Sequence, residues 1–223
     1  MGGKCSITAQ NGCWKVDMMR LLPLVVSLFL PLSLAACNTD QGDTLEPEPV
    51  WFTMDDAALP AARWDHQPMG KLWTRTAIGD LVSGAGMPLI NMVPNDIDAW
   101  CPAYPDQDQI GRAAFWTGLL SAMAKHESTY NEAAVGGGGQ WFGLVQISPA
   151  TARHYDCGAT TGGALKNVVN NLQCAITIMA ATVPRDGVVA ADGRGVAADW
   201  GPFHSAAKRA EMQGWVSLQA YCR

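Results

Sequence analysis

The sequence predicts a mainly α-helical domain with at most a small β-hairpin. Apolar residues recur at helical spacing in several long segments, and glycine or proline marks the ends of most of them. Strand signals are few, and the sequence allows at most a small strand or hairpin around "QWFGLVQI", at residues 140–147. A chain of 223 residues with 48% hydrophobic residues is long enough to form one domain with a substantial core.

Five helices are expected, most of them with a recognisable start or stop signal. Gly84 ends the first, because glycine is a poor helix former. Ser148 and Pro149 supply an N-cap and a first-turn proline for the third, and Pro184 ends the fourth. Gly214 is a weak point inside the last. The predicted helices cover residues 70–84, 111–128, 148–155, 165–183 and 205–221.

Residues 18–37, "MMRLLPLVVSLFLPLSLAAC", carry the pattern of an export signal, and residues 1–17 have no role in it. Arg20 precedes an apolar run over residues 21–36, which ends in small residues before Cys37. The run is shorter than the roughly 20 residues that a spanning helix needs, and two prolines interrupt it, so a membrane-spanning helix is a poor alternative. We predict a leader and lipoprotein signal peptide over residues 1–36.

Residues 34–37, Leu-Ala-Ala-Cys, resemble the lipobox of bacterial lipoproteins. The resemblance implies that Cys37 is lipidated, becomes the first residue of the mature protein and anchors it to a membrane in the periplasmic cell envelope. Asn38 in the next position favours the outer over the inner membrane, by analogy with enteric bacteria. An ordinary secreted protein with a cysteine beside its cleavage site is the alternative.

Four of the seven cysteines remain for the mature domain. Cys5 and Cys13 lie in the leader and would be removed with it, and Cys37 would carry the lipid. Four cysteines in an oxidising compartment predict two disulfides. Three pairings are possible, and closeness along the chain favours one of them. The favoured bonds are Cys157–Cys174 and Cys101–Cys222.

No residue pattern indicates a metal ion, a cofactor or a nucleic acid. The four cysteines contain no Cys-x-x-Cys pair, and the four histidines form no His-Glu-x-x-His motif. The net charge of −5 argues against nucleic acid as a partner. The histidines are scattered along the chain, at His66, His126, His154 and His204.

Residues 37–69 are polar, acidic and broken by prolines, which predicts a tether. Trp51, Phe52 and Trp64 are unusual in a linker and are candidates for packing against the domain. The folded domain is predicted to cover residues 70–223.

The second predicted helix ends with a carboxylate on its apolar face. Phe115, Leu119 and Met123 recur every four residues, and the next residue on that face is Glu127. Because an ionised carboxylate is costly in apolar surroundings, Glu127 should stay protonated more readily than in water, as a general acid must. The alternative is an ordinary surface residue at a helix end. His126 faces another side of the helix and is predicted to be a surface or supporting group rather than a base.

Glu127 and Ser128 are followed, after a glycine-rich loop, by the segment Gly-Leu-Val-Gln-Ile at residues 143–147. These elements, in this order and spacing, resemble those of lysozyme-like lytic transglycosylases of the soluble-lytic-transglycosylase (SLT) type, which are related in fold to goose-type lysozyme. The family usually has Met where this chain has Val145. The resemblance implies a lysozyme-like helical domain over about residues 70–223.

The resemblance also implies roles for particular residues. It makes Glu127 the catalytic group and places the substrate-binding residues Ser128, Gly143, Leu144 and Gln146 around it. Trp141 is the preferred aromatic contact, because indole faces stack on the apolar faces of sugars, although core packing is the alternative.

The family's third element, usually Ala-Tyr-Asn-Ala-Gly, is replaced in this chain by Asp-Trp-Gly-Pro at residues 199–202. The family tyrosine is therefore not assigned to any residue. Trp200 is predicted either to form an aromatic wall for a sugar ring or to be a core tryptophan.

The family's substrate is the glycan strand of peptidoglycan, cleaved between N-acetylmuramic acid (MurNAc) and N-acetylglucosamine (GlcNAc). We therefore expect a lytic transglycosylase that leaves 1,6-anhydro ends, with Glu127 acting alone as acid and then as base. A hydrolytic, lysozyme-like muramidase is one alternative, and Asp199 is then the first candidate to activate water. An inactive lipoprotein that binds peptidoglycan as an anchor or scaffold is the other.

Overall fold

The computed structural model describes residues 54–223, so the predicted leader, Cys37 and the first part of the tether lie outside the described residues. Within this range the chain forms helices and one antiparallel hairpin, in which Val135 pairs with Phe142 and Gly136 with Trp141. This confirms the mainly α-helical prediction. The helices are α1 (Gly70–Ser83), α2 (Met87–Ile90), α3 (Gln109–Glu127), α4 (Pro149–His154), α5 (Gly162–Leu165), α6 (Val168–Asp186) and α7 (Ala206–Ser217), and the strands are β1 (Val135–Gly136) and β2 (Trp141–Phe142).

The centre of the molecule is α3, which begins at the N-cap Asp108, whose side chain accepts a hydrogen bond from the backbone N–H of Gly111. The sequence predicted a single apolar stripe on this helix, but all residues from Ala113 to Ala124 are buried. The reason is that α1 packs on one side of α3 and α7 on another, so the helix has no solvent face over three turns. The helix reaches the surface only in its first turn and in its last turn, which ends at Glu127.

The long helix α6 packs against α1 and differs at both ends from the predicted segment over residues 165–183. Leu165 belongs to the separate helix α5, because the Asn167 side chain caps the start of α6. Pro184 does not end α6 but lies in its last turn. There it removes only one hydrogen bond close to the helix end, and Gly187, with a left-handed φ of 71°, terminates the helix instead.

The last helix is also shorter than predicted. Ser205 caps α7 as expected, but α7 ends at Ser217, and a separate 3₁₀ turn covers Ala220–Cys222. The chain turns away from the helix axis at this point and brings Cys222 to Cys101. Gly214 is accommodated inside α7.

Both predicted disulfides are present. Cys101 and Cys222 are joined across 121 positions of sequence with their Cα atoms 4.5 Å apart. Cys157 and Cys174 are joined across 17 positions with a Cα separation of 5.1 Å. The first bond ties the segment before α3 to the end of the chain, and the second ties the loop after α4 to α6.

The described part of the predicted tether, residues 54–69, packs against the helical body. Trp64 is fully buried, and its indole N–H donates to Thr74 Oγ1 at 2.9 Å. The backbone N–H of Arg63 donates to Ser121 Oγ at 2.8 Å. The packed body therefore begins before the predicted boundary at residue 70. Over residues 54–223, no helix combines the length and the apolar character needed to cross a bilayer.

Candidate active site

Glu127 lies in a cleft of about 440 Å³ that three parts of the chain build together. The end of α3 forms one wall, the hairpin and the segment after it form a second, and the residues between α6 and α7 form the third. Residues that are distant in sequence, with Glu127 and Lys208 more than 80 positions apart, therefore share one space. The side chains of chemical interest in the lining are those of Glu127, Trp141, Gln146, Asp199, Trp200 and Lys208.

Burial raises the pKa of Glu127 from its ordinary value of 4.5 to about 7. The first cause is the loss of water around the carboxyl group, since burial in the wall of the cleft disfavours its charged form. The nearby positive charge of Lys208 acts in the opposite direction and lowers the pKa. The balance keeps Glu127 protonated to about neutral pH, as a general acid requires.

Three of the predicted substrate-binding residues support the cleft from behind instead of lining it. Ser128 Oγ donates to the carbonyl of Leu144 at 2.7 Å, and Leu144 is fully buried. Gly143 is buried and adopts a φ of 82°, where a Cβ would overlap the amide of Asn171. These contacts fix the segment 143–147 against the end of α3, next to Glu127.

Asn171, on α6, holds the same segment and was not singled out from the sequence. Its buried amide nitrogen donates to the carbonyls of Phe142 and Leu165, each at 3.0 Å, and its oxygen accepts from the backbone N–H of Val145 at 2.9 Å. The sequence contained one signal for this role, a polar residue on the apolar face of a helix. A side-chain amide that is buried there needs hydrogen-bond partners such as these backbone groups.

Gln146 and Trp141 both line the cleft, on the hairpin side. The side-chain amide of Gln146 donates to the carbonyl of Gly143 at 2.8 Å, which fixes its orientation. Trp141 is 46% exposed and lies against Gly137, where a Cβ would overlap the indole ring. A largely exposed indole at the edge of a cleft offers a flat apolar surface on which a sugar ring can stack.

Trp200 belongs both to the core and to the lining of the cleft. It lines the cleft, yet only 3% of the residue is exposed, and its indole N–H donates to the carbonyl of Val145 at 2.9 Å. Trp200 is thus a core tryptophan whose indole anchors the Gly-Leu-Val-Gln-Ile segment next to the cleft.

Asp199 is a second carboxylate in the cleft. The hydroxyl of Tyr155 donates to Asp199 Oδ2 at 2.9 Å, which restricts the orientation of the carboxylate. Tyr155, just after α4, was missed as a site residue, because 44 positions of sequence separate it from Asp199.

Glu211, on α7, joins the end of α3 to the segment before α1. Its carboxylate accepts from Lys125 Nζ at 2.8 Å, lies 2.9 Å from Nε2 of His126 and forms a two-pronged pair with the Arg63 guanidinium. The bond from Arg63 is the main cause that holds the pKa of Glu211 well below its usual range. His126 lines the cleft on one side while Glu211 holds its ring on the other, so it supports the turn that carries Glu127.

Within residues 54–223, no group of three or more His, Cys, Asp or Glu side chains is placed to hold a metal ion.

The fold and cleft together define a helical, lysozyme-like domain with one glutamate of raised pKa at the end of its central helix. Residues 107–189 match the family model described as "Transglycosylase SLT domain". This family acts on peptidoglycan in the cell envelope. No curated protein matches the chain.

Solved structures of the protein titled Bd0314 DslA have the same fold. A glutamate-to-glutamine mutant of DslA is 25% identical, with a TM-score of 0.67, and the match covers 76% of this chain and 100% of that chain. A second such mutant is 26% identical, with a TM-score of 0.66 and coverage of 74% and 99%. Wild-type DslA (form 2) is 24% identical, with a TM-score of 0.63 and coverage of 76% and 100%.

Proposed function

We propose that this protein is a peptidoglycan lytic transglycosylase that cleaves the MurNAc-GlcNAc β-1,4 bond and leaves 1,6-anhydro-MurNAc ends. The observation that carries the proposal is Glu127, a carboxyl group with a pKa raised to about 7 by burial, in an open cleft beside an exposed tryptophan. The SLT family match supports the substrate class.

The chemistry needs one group that changes from acid to base. Protonated Glu127 gives its proton to the glycosidic oxygen as the bond to the anomeric carbon breaks, and the leaving GlcNAc departs as an alcohol. The Glu127 carboxylate then takes the proton of the C6 hydroxyl of the same MurNAc, whose oxygen bonds to the anomeric carbon. Because this attack is intramolecular, positioning replaces much of what an activated water would supply.

Hydrolysis is the second candidate, and Asp199 is the observation that favours it. Hydrolytic glycosidases generally use two carboxylates, one to protonate the leaving oxygen and one to activate water or act as a nucleophile. Asp199 lies in the same cleft as Glu127, and Tyr155 fixes its orientation.

The products formed from purified sacculi distinguish the two reactions. We expect soluble fragments whose MurNAc ends are lighter by one water than reducing ends, as measured by mass spectrometry of the digest. Reducing ends alone would show hydrolysis and would make Asp199→Asn the next variant to assay. Binding without soluble fragments would leave only the anchor or scaffold function.

The pH dependence of turnover should follow the ionisation of Glu127. Since the acid must be protonated, kcat/KM should be level below pH 7 and fall about tenfold per pH unit above it. The measurement is a pH-rate profile of fragment release from sacculi at constant ionic strength. A loss of activity that begins near pH 4.5, the ordinary value for a glutamate, would contradict the assignment of Glu127 as the acid.

We also propose that the mature protein is held at the outer membrane of the cell envelope by lipid on Cys37, on the basis of the Leu-Ala-Ala-Cys sequence at residues 34–37. A Cys37→Ser protein should leave the membrane fraction, because lipid chains supply most of such anchoring. Fractionation of cells that express each form measures this. Equal retention of the variant and the parent in the membrane fraction would contradict the proposal.

A further inference from the structure

Lys208 is a cation of the catalytic cleft that forms no ion pair with a carboxylate of the described residues. It is exposed on the first turn of α7 and lines the cleft with Glu127. None of the ion pairs formed between residues 54 and 223 includes its ammonium group.

The other basic side chains around the end of α3 are all engaged. Arg63, Lys125 and His126 converge on Glu211, so each of them already has a carboxylate partner. Asp199, the other charged group in the cleft, already accepts the hydroxyl of Tyr155. Lys208 is therefore the charged lining group that still has hydrogen-bonding capacity for a substrate anion.

The position of Lys208 works against the acid in the free protein. Its charge lowers the pKa of Glu127, whereas a general acid benefits from a raised one. The presence of Lys208 beside the acid is explained if the bound substrate places a negative charge next to its ammonium group. The strand of peptidoglycan does so, because each muramoyl unit bears a carboxylate on its lactyl group or, where a peptide stem is attached, on the stem.

We propose that Lys208 is a specificity-determining residue that binds a carboxylate of the muramoyl unit or its stem in the cleft. The inference rests on the proposed function and adds a recognition element to it. Pairing neutralises Lys208, so the substrate's own anion should make Glu127 hold its proton more firmly in the complex. By linkage, protonation of Glu127 strengthens binding of the anion to the same extent.

Binding is best measured on the Glu127→Gln protein, so that the strand is not consumed. The probes are a peptide-free GlcNAc-MurNAc tetrasaccharide with free lactyl carboxylates, its methyl ester, a stem-bearing tetrasaccharide and its amidated form. We expect masking of the recognised carboxylate to weaken binding about three- to tenfold at low salt, and less at high salt.

Three further changes in that background test the residue. Lys208→Met should remove the preference for the charged strand, Lys208→Arg should retain it, and Lys166→Met, on an exposed lysine outside the cleft, should leave it unchanged. A preference for the peptide-free strand over its methyl ester identifies the lactyl carboxylate as the group that Lys208 binds. A preference for the stem-bearing strand over its amidated form identifies a carboxylate of the stem. Equal affinity for charged and masked strands, or equal weakening of both by Lys208→Met, would overturn the proposal.

The pH profile separates this role from a structural one. With Lys208 present and the charged strand as substrate, the fall in kcat should lie at higher pH than the fall in kcat/KM, because kcat reports the complex. With Lys208→Met the separation between the two should be smaller, because only the desolvation of Glu127 by the bound strand remains. If the wild-type protein releases no fragments but the Glu127→Gln protein keeps the preference that depends on Lys208, the proposed enzyme fails and this inference stands. If fragments are released but that preference is absent, the enzyme stands and this inference fails.

Discussion

Replacement of Glu127 by glutamine is expected to lower turnover on peptidoglycan by roughly a thousandfold, with strand binding retained. Glutamine keeps the shape of the side chain and its place at the end of α3 but has no proton to give to the leaving oxygen. Release of soluble fragments from sacculi measures turnover, and sedimentation with sacculi measures binding.

Glu132→Gln is the matched control for this change. Glu132 is exposed in the loop between α3 and β1 and does not line the cleft, so its variant should keep full activity. Loss of activity in both variants would point to a general effect of charge. Full activity of Glu127→Gln would show that another group is the acid.

The stability of the Glu127→Gln protein checks that the loss is not due to misfolding. The folded-state pKa of Glu127, about 7, lies above its ordinary value of 4.5, so the folded state binds the proton more tightly than the unfolded state. Ionisation of Glu127 therefore destabilises the wild-type fold progressively between pH 4.5 and 7, by up to about 3 kcal/mol above that range. Glutamine should accordingly raise the melting temperature more at pH 8 than at pH 4.5.

Loss of the Cys101–Cys222 disulfide should destabilise the domain more than loss of Cys157–Cys174. The first bond closes a loop of 121 positions and the second a loop of 17. In the chain-entropy model these bonds contribute about 5 and about 3 kcal/mol, because the longer loop removes more freedom from the unfolded chain.

Paired alanine variants test this order without placing new hydroxyl groups in the core. The Cys101→Ala, Cys222→Ala protein and the Cys157→Ala, Cys174→Ala protein should both melt below the parent, and the first should melt lowest. Thermal denaturation without reductant, together with a count of free thiols by mass spectrometry, measures this. If a reductant leaves the melting temperature of the parent unchanged, the bonds contribute little and the prediction is wrong.

The sequence motif identified the region of the candidate active site correctly, but it did not show which motif residues line the cleft. Glu127 and Gln146 line the cleft as the family resemblance implied. Ser128 and Leu144 instead hydrogen-bond to each other behind it. A motif preserves residues that build a site together with those that perform its chemistry, and only the folded chain distinguishes the two groups.

The sequence by itself determined the helical class and the end of α3 at Glu127, because helical periodicity is a local property of the chain. Cysteine spacing favoured the observed disulfide pairs, but only the folded chain brings Cys101 and Cys222 together across 121 positions. The tertiary structure decided what surrounds Glu127. Trp200 is buried because its indole reaches Val145, 55 positions away, and Lys208 enters the cleft because α7 packs on α3. Such neighbours depend on how distant helices pack, and the pKa of Glu127 depends on them in turn, because desolvation and nearby charge act through space.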